Sequence, residues 1–169
     1  MIARRQRFPH PFAADQDRSK FASPRCLMSN HQDQPRFSLP VRVYYEDTDL
    51  NSVVFYANYI KFMERARTEW LRSLGIELDV LRRREGMLFA VQRMETEFLR
   101  PAFFNDLLTV TVALRGSGGA SLDFVQEVRR EADAACCCRG RTKVICVDEK
   151  TLRPKRLPKT LLAEIADGH

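Results

Sequence analysis

The segment from Tyr56 to Leu74 is the strongest helix-forming segment of the chain, and it limits what the rest can fold into. Its apolar side chains recur at steps of three and four, or at sums of these steps, as on one face of an α-helix: Tyr56, Tyr59, Ile60, Met63, Trp70, Leu71 and Leu74. Gly75 follows as a C-terminal stop. Eighteen residues at 1.5 Å each span roughly 27 Å. Because that length equals the width of a small domain, other elements must wrap around the apolar face.

Five strand-like runs, one before the helix and four after it, can supply that wrapping. They cover residues 37–45, 89–98, 107–114, 121–130 and 135–147. The last run is broken at Gly140, and short turns such as Gly116–Gly119 join the later runs, so that neighbouring strands pair antiparallel. A charged helix is predicted over 78–84 and a last helical turn over 161–165. This order predicts an α+β architecture, the hotdog fold, in which a five-stranded antiparallel sheet wraps around a long central helix.

Length and charge limit the class of protein. The 169 residues suit one domain, which we expect over 36–165, after a disordered or variable extension over 1–35 that contains four prolines. The formal net charge of +6 is too small to predict a nucleic-acid-binding protein, which would need a clustered basic stripe. No apolar run approaches the roughly 18 residues that a membrane span requires, so stable membrane insertion is not expected.

The cysteines and histidines argue against several chemistries. The five cysteines, three of them consecutive at 136–138, form no CxxC pair, and no histidine lies between residues 32 and 168. Neighbouring residues of a strand point to opposite faces, so the consecutive cysteines cannot converge on one metal ion. We expect no metal, no bound cofactor, reduced thiols and a cytoplasmic location. Catalysis would then depend on carboxylates, hydroxyls or backbone amides.

An acidic loop, Glu46–Val53, precedes the long helix and supplies candidate carboxylates. Glu46, Asp47 and Asp49 lie within four residues of one another. Like charges this close raise one another's pKa values, which suits a general base. Acidic residues also favour helix N-termini because they cap the helix and complement its dipole. Spacing alone leaves both interpretations open and does not distinguish the three acids.

The stretch VRVYYEDTDLNSVVFYANYIKFMERARTEWL, residues 41–71, closely resembles the Tol-Pal-associated acyl-CoA thioesterases of the 4-hydroxybenzoyl-CoA thioesterase-like hotdog superfamily. The likeness continues through EFLRPAFFNDLLTV, SLDFVQ and KVICVDEKTLRPKRLP, and leaves 1–35 outside. The resemblance implies hydrolysis of an acyl-CoA or acyl-carrier-protein thioester without a metal or cofactor. It also implies a homodimer or homotetramer with the site at a subunit interface.

The resemblance assigns roles to individual residues. Asp49, the second aspartate of DTD, would attack the thioester carbonyl or activate a water that does so. Tyr56 would supply a backbone amide at the helix start that polarises the thioester oxygen. Apart from the resemblance, five further residues are candidates for binding substrate, the last three of them at the phosphates of CoA: Val54, Tyr59, Arg100, Arg115 and Ser121. A core-facing position is the alternative for Tyr59, and solvated loop charge is the alternative for the two arginines.

The loop departs from the family pattern. Related sequences usually have glycines after the aspartate and a histidine at position 56, whereas this chain has Leu50-Asn51-Ser52 and a tyrosine. Asn51 can still adopt the positive-φ conformation that a glycine would provide. Two alternatives stay open: a non-catalytic acyl-binding or scaffold protein of the Tol-Pal envelope machinery, and a hotdog dehydratase, which the shortage of histidine disfavours. Glu64 is a weaker catalytic candidate and is expected to pair with Arg67 or Arg93.

Overall fold

One antiparallel sheet and one long helix make up most of residues 34–167, the part of the chain that the computed structural model describes. The strands are β1 (Phe37–Arg42), β2 (Met87–Phe98), β3 (Leu107–Ser117), β4 (Ser121–Arg130) and β5 (Cys136–Asp148). The helices are α1 (Tyr56–Ser73), α2 (Leu78–Glu85) and α3 (Lys159–Asp167), with a 3-10 turn at Tyr45–Asp47. The sheet has the order β1-β3-β4-β5-β2, and every pair is antiparallel. The predicted α+β hotdog architecture is confirmed.

Helix α1 lies against β1, β3 and β4 and buries one side. Its buried residues are Asn58, Tyr59, Phe62, Met63, Ala66, Arg67, Trp70 and Leu71. The predicted stripe was partly wrong, because Tyr56 and Ile60 are 59% and 37% exposed, whereas Phe62 is fully buried. Tyr56 is the first residue of the helix and lies beyond the part that the sheet covers. Burial begins at Asn58, so the first two residues of α1 remain accessible.

Strand β5 runs without a break through Gly140, contrary to the prediction. Gly140 pairs with Gln126 of β4 and with Thr96 of β2. A Cβ atom added to Gly140 would lie 2.7 Å from the Met63 sulfur. The glycine therefore marks a close approach of α1 to the sheet, which is one of the usual reasons for a glycine inside a strand.

The two edge strands of the sheet differ in length and in exposure to solvent. Edge strand β1 has six residues and includes Pro40. The Arg36 guanidinium, just before β1, donates to the Ile165 carbonyl of α3 at 3.0 Å. Edge strand β2 has twelve residues and is mostly exposed, including Val91 at 53%. Because a long exposed edge strand presents unpaired backbone groups, β2 is the edge better suited to pair with another chain.

The predicted extension over 1–35 lies outside the described residues except for Gln34 and Pro35, so its structure stays a prediction. The predicted last helical turn is longer than expected and forms the nine-residue helix α3. Within the described residues no helix is both long and apolar enough to cross a membrane.

Candidate active site

Asp49 lies in a loop whose two ends pair with each other, which we call the Asp49 loop (residues 48–54). Thr48 and Val54 form an isolated antiparallel bridge. The Asp49 amide donates to the Val53 carbonyl at 2.9 Å, and the Ser52 amide donates back to the Asp49 carbonyl at 2.9 Å. The loop is therefore closed by its own backbone and leads directly into α1.

The two carboxylate oxygens of Asp49 have different surroundings. Oδ1 accepts a hydrogen bond from the Asn51 amide at 2.7 Å, which is an Asx turn. Oδ2 accepts none from the described residues. The side chain is only half-buried. One oxygen thus fixes the orientation of the carboxylate, while the other is available to a substrate or to a water molecule.

The left-handed residue of the Asp49 loop is Ser52, with φ of +60°, although Asn51 is the residue type that adopts this conformation more readily. The Asn51 amide is held by the Asp49 side chain, and the chain reverses one residue later, where the Ser52 amide turns back to the Asp49 carbonyl. A left-handed conformation costs a residue with a Cβ atom about 1 kcal/mol. The backbone pairings of the loop hold this strained residue in place.

The N-terminus of α1 has no side-chain cap. The N-cap residue, Phe55, makes no side-chain capping bond, and the first turn contains no acidic residue. The first amides of an α-helix lack intrahelical partners and carry partial positive charge, and the Tyr56 amide is one of them. The exposed Tyr56 ring lies beside Phe98, with centroids 6.2 Å apart. An uncapped helix start that follows an available carboxylate can stabilise a developing oxyanion.

The other two acids of the acidic loop have different roles. The Asp47 carboxylate accepts a backbone hydrogen bond within its own turn. The Asp47 carbonyl accepts from the Phe55 amide and from Asn58 Nδ2, both at 2.9 Å. Glu46 is exposed. Asp47 therefore ties the 3-10 turn to the first turn of α1, and the structure distinguishes Asp49 from neighbours that spacing alone could not separate.

A second loop, Pro101–Asp106, packs against the start of α1, although no motif in the sequence marks it as part of a site. The Ala102 carbonyl accepts from the Val54 amide at 2.8 Å, and the Ala102 amide donates to the Tyr59 hydroxyl oxygen at 3.1 Å. Phe103 also pairs with the residue before Val54. Buried Asn58 was missed as well. The sequence feature that could have identified Asn58 is a polar residue on the apolar face of a helix.

Val54 and Tyr59, both predicted to bind substrate, are buried in the hydrophobic core. Burial raises the pKa of the Tyr59 hydroxyl well above its usual value, with a smaller contribution from the neighbouring Cys137. The hydroxyl therefore stays protonated across the physiological pH range. Within one chain, Val54 bridges Thr48 and bonds to the Pro101–Asp106 loop, and the Tyr59 ring packs beside Phe98 with centroids 5.9 Å apart. Both residues therefore lie beneath the site and support it.

The structure does not bring the three predicted CoA-binding residues together within one chain. The Arg100 amide donates to the Cys137 carbonyl at 3.1 Å, so Arg100 lies near the start of β5. Arg115 and Ser121 lie near the β3–β4 hairpin at the other end of the sheet. Along β4, Ser121 lies seven residues from Val128, which pairs with Cys138 near Arg100, or roughly 23 Å at 3.3 Å per residue. Arg100 is at the end of the sheet that carries the Asp49 loop.

Arg115 borders a cavity of about 360 Å³ on the sheet face turned away from α1. Gly140 faces α1. Because side chains alternate along a strand, its neighbour Arg141 and the other charged residues that line the cavity point to the opposite face. The charged residues that line the cavity are Arg93, Glu95, Arg115, Asp123, Arg141 and Lys143. The four cations outnumber the two acids, so this surface favours an anion.

The buried cysteines are poor candidates for a nucleophile. Burial raises the pKa of the Cys137 thiol to about 11 and that of the Cys138 thiol to about 12. Because the thiolate is the reactive form, both groups are largely unreactive at neutral pH. In the described part of the chain, no group of three or more His, Cys, Asp or Glu side chains is placed to hold a metal ion.

Glu64 does not make either of the hydrogen-bonded ion pairs predicted for it. Its carboxylate accepts from the Thr68 hydroxyl at 2.9 Å. Arg67 instead donates to Gln126 at 2.7 Å, and Arg93 pairs with a glutamate on its own strand. Burial lowers the pKa of Arg67, and the charge of Glu64 opposes that effect. Arg67 points into the interface between α1 and the sheet, which removes it from direct pairing with the exposed Glu64.

Comparison with known proteins defines the class. Residues 43–165 match the model of the thioesterase-like superfamily. The chain therefore belongs to the thioesterase-like superfamily, and the predicted thioester-hydrolase class is confirmed. The chain is similar to the acyl-CoA thioester hydrolase YbgC of Escherichia coli O6:H1, with 39% identity over 128 residues that cover 76% of this chain and 94% of that protein. It is also similar to the acyl-CoA thioesterase YbgC of Haemophilus influenzae, with 38% identity over 127 residues that cover 75% and 92% of the two chains.

Solved structures show the same fold. A probable thioesterase from Bartonella henselae superposes with a TM-score of 0.68 at 31% identity, covering 72% of this chain and 98% of that one. A 1,4-dihydroxy-2-naphthoyl-CoA thioesterase from Synechocystis superposes with a TM-score of 0.73 at 21% identity, covering 78% and 96%. At that identity the second likeness supports the fold alone.

Proposed function

We propose that this protein hydrolyses acyl-CoA thioesters at a site formed by Asp49 and the N-terminus of α1. The observation that carries the proposal is an available Asp49 oxygen in a loop that leads into an uncapped helix start. The substrate class is supported by the Escherichia coli and Haemophilus influenzae relatives, which are named as acyl-CoA thioester hydrolase and acyl-CoA thioesterase.

In the proposed reaction, the thioester oxygen accepts a hydrogen bond from the Tyr56 amide, and the helix dipole stabilises the charge that develops there. The Asp49 carboxylate either attacks the carbonyl carbon or takes a proton from a water that attacks it. The carbon–sulfur bond then breaks, the CoA thiolate takes up a proton, and a carboxylic acid is released. On the direct route, water hydrolyses the mixed anhydride on Asp49 before the acid leaves.

The proposed contacts to the CoA phosphates divide between the two ends of the sheet. Arg115 borders the cation-lined cavity, and Arg guanidinium groups match phosphate oxygens. Ser121 lies near it at the β3–β4 hairpin, whereas Arg100 lies at the Asp49 end. One CoA molecule would therefore meet these residues from different subunits of an oligomer. An acyl-carrier protein, whose carrier arm ends in the same thiol, is the alternative donor.

We propose that the protein is either a dimer that pairs through β2 or a tetramer of two such dimers, joined through the sheet faces turned away from α1. Besides the long β2 edge, large apolar side chains are exposed on the segments around Asp49: Tyr44, Tyr45, Leu50, Phe55, Tyr56, Phe98 and Phe104. Such an apolar patch indicates a protein interface or a ligand site. Light scattering of the purified protein is expected to give at least twice the 19.6 kDa chain mass. A mass of one chain at micromolar concentration would contradict this.

A panel of thioesters tests the proposed function. We expect the purified protein to release free thiol from at least one of short aliphatic, long aliphatic and aromatic acyl-CoA substrates, measured with a thiol reagent. Acyl-carrier-protein thioesters form a parallel arm that identifies the carrier. Binding without thiol release across the whole panel would instead favour a non-catalytic acyl-binding or scaffold protein associated with the Tol-Pal machinery.

A further inference from the structure

Arg130, the last residue of β4, is a buried cation that the proposed reaction does not use. It is 4% exposed. Its Nε and Nη2 atoms donate to both carboxylate oxygens of Asp133, at 2.9 and 2.8 Å. Its Nη1 atom donates to the Pro101 carbonyl at 3.0 Å and lies 3.5 Å from Asp106 Oδ2. The guanidinium therefore binds both ends of the Pro101–Asp106 loop from a fixed position in the sheet.

That loop in turn holds the two parts of the candidate site. Through Ala102 it bonds to the Val54 amide and to the Tyr59 hydroxyl, one at the end of the Asp49 loop and the other in the first turn of α1. Phe103, whose amide donates to the Asp106 carboxylate at 2.9 Å, pairs with the residue before Val54. An unbroken series of contacts thus runs from the Arg130 side chain to the segment between the carboxylate and the helix start.

A second ion cluster, built around the buried carboxylate of Glu127, has similar chemistry but makes none of these contacts. Arg139 Nε donates to Glu127 Oε1 at 3.0 Å, and Arg129 pairs with the other oxygen of the same carboxylate. Arg139 and Glu127 form a direct pair across β4 and β5 on the sheet face turned away from α1. No described hydrogen bond of Arg139 reaches the Pro101–Asp106 loop. Arg139 therefore provides a matched control for the loss of an arginine that is paired with a carboxylate in the sheet.

We infer that Arg130 is a positioning residue for thioester hydrolysis: by fixing the Pro101–Asp106 loop, it keeps the Asp49 loop in register with the start of α1. This inference rests on the proposed function. Arg130 touches neither Asp49 nor Tyr56 and takes no part in the chemistry. Its role depends on the planar fork of the guanidinium, which binds one carboxylate with two donors while a third reaches the loop, a geometry that lysine cannot reproduce.

Steady-state kinetics of Arg130→Met and Arg130→Lys, measured per folded molecule well below the melting temperature, test this role. Displacing reacting groups by about 1 Å costs on the order of 10²-fold in rate. We expect kcat of Arg130→Met to fall roughly 10–100-fold with KM changed by less than about threefold. Arg130→Lys is expected to lie between Arg130→Met and the wild type. Arg139→Met is expected to lower the melting temperature and to keep the wild-type kcat.

Wild-type kcat in folded Arg130→Met, whatever its melting temperature, would overturn the inference. If Arg130→Met does not fold, Arg130→Lys is compared with Arg139→Lys. A wild-type kcat in Arg130→Lys would then overturn the inference. Hydrogen exchange at the Val54 amide tests the role of Arg130 independently of the proposed thioesterase activity. We expect faster exchange there in Arg130→Lys than in Arg139→Lys, even if the wild type releases no thiol. Equal exchange would show that Arg130 does not hold the loop.

Discussion

Replacing Asp49 by asparagine is expected to lower kcat for thiol release by about 10²–10⁴-fold, the usual contribution of a positioned general base. The fold should survive, because the asparagine Oδ1 can still accept the hydrogen bond from the Asn51 amide that orients the side chain. The variant removes the negative charge and the basic oxygen while keeping the Asx turn. Since substrate binding does not depend on the proton acceptor, KM should change much less than kcat.

Glu46→Gln is the matched control for this variant. It also neutralises an acid of the acidic loop Glu46–Val53, three residues from Asp49 and exposed to solvent. We expect wild-type kcat and KM in Glu46→Gln at the same assay pH. A large loss in both variants would point to the net charge of the loop, and not to Asp49, as the cause.

Tyr56→Pro is expected to lower kcat by about 10²–10³-fold, the usual cost of losing one oxyanion-hole donor. The substitution removes the proposed donor, since proline has no amide hydrogen. Proline suits the first position of a helix, where that amide has no intrahelical partner. The preceding residue, Phe55, already has φ of −59° and ψ of 132°, the region that a residue before proline prefers. The helix start should therefore persist in the variant.

Two further substitutions separate the Tyr56 amide from its side chain. Tyr56→Ala loses the ring but keeps the amide, and Tyr56→Phe loses only the hydroxyl. We expect both to retain most of kcat, although Tyr56→Ala also removes the ring contact with Phe98. If Tyr56→Ala is as slow as Tyr56→Pro, the side chain and not the amide carries the function of this position.

Local pattern was enough to predict the order of elements. The apolar spacing of Tyr56–Leu74 reflects burial of one helix face, and the alternating runs that follow reflect burial of one sheet face. Both periodicities can be recognised in the sequence alone. The helix start was placed correctly at Tyr56, but the apolar stripe was not, because Phe62 and Ala66 were omitted. The break predicted at Gly140 was wrong because a glycine that admits a neighbouring helix looks the same in sequence as one that ends a strand.

The candidate site was only partly predictable, for a physical reason. Family resemblance singled out Asp49 and Tyr56, which are close in sequence and belong to one local structure. The support beneath them comes from Ala102 and Arg130, which are distant along the chain and meet the site only after the sheet has formed. Which loop residue takes positive φ was not predictable either, because it depends on which amide the Asp49 side chain holds.

Thiol release by the wild type and by Asp49→Asn, measured side by side at equal concentrations of folded protein with the best substrate of the panel, tests the central claim most directly. The proposed mechanism predicts turnover by the wild type and a loss of at least about 10²-fold in kcat for the variant. A variant whose kcat stays within about threefold of the wild type would contradict the assignment of Asp49 as the catalytic carboxylate.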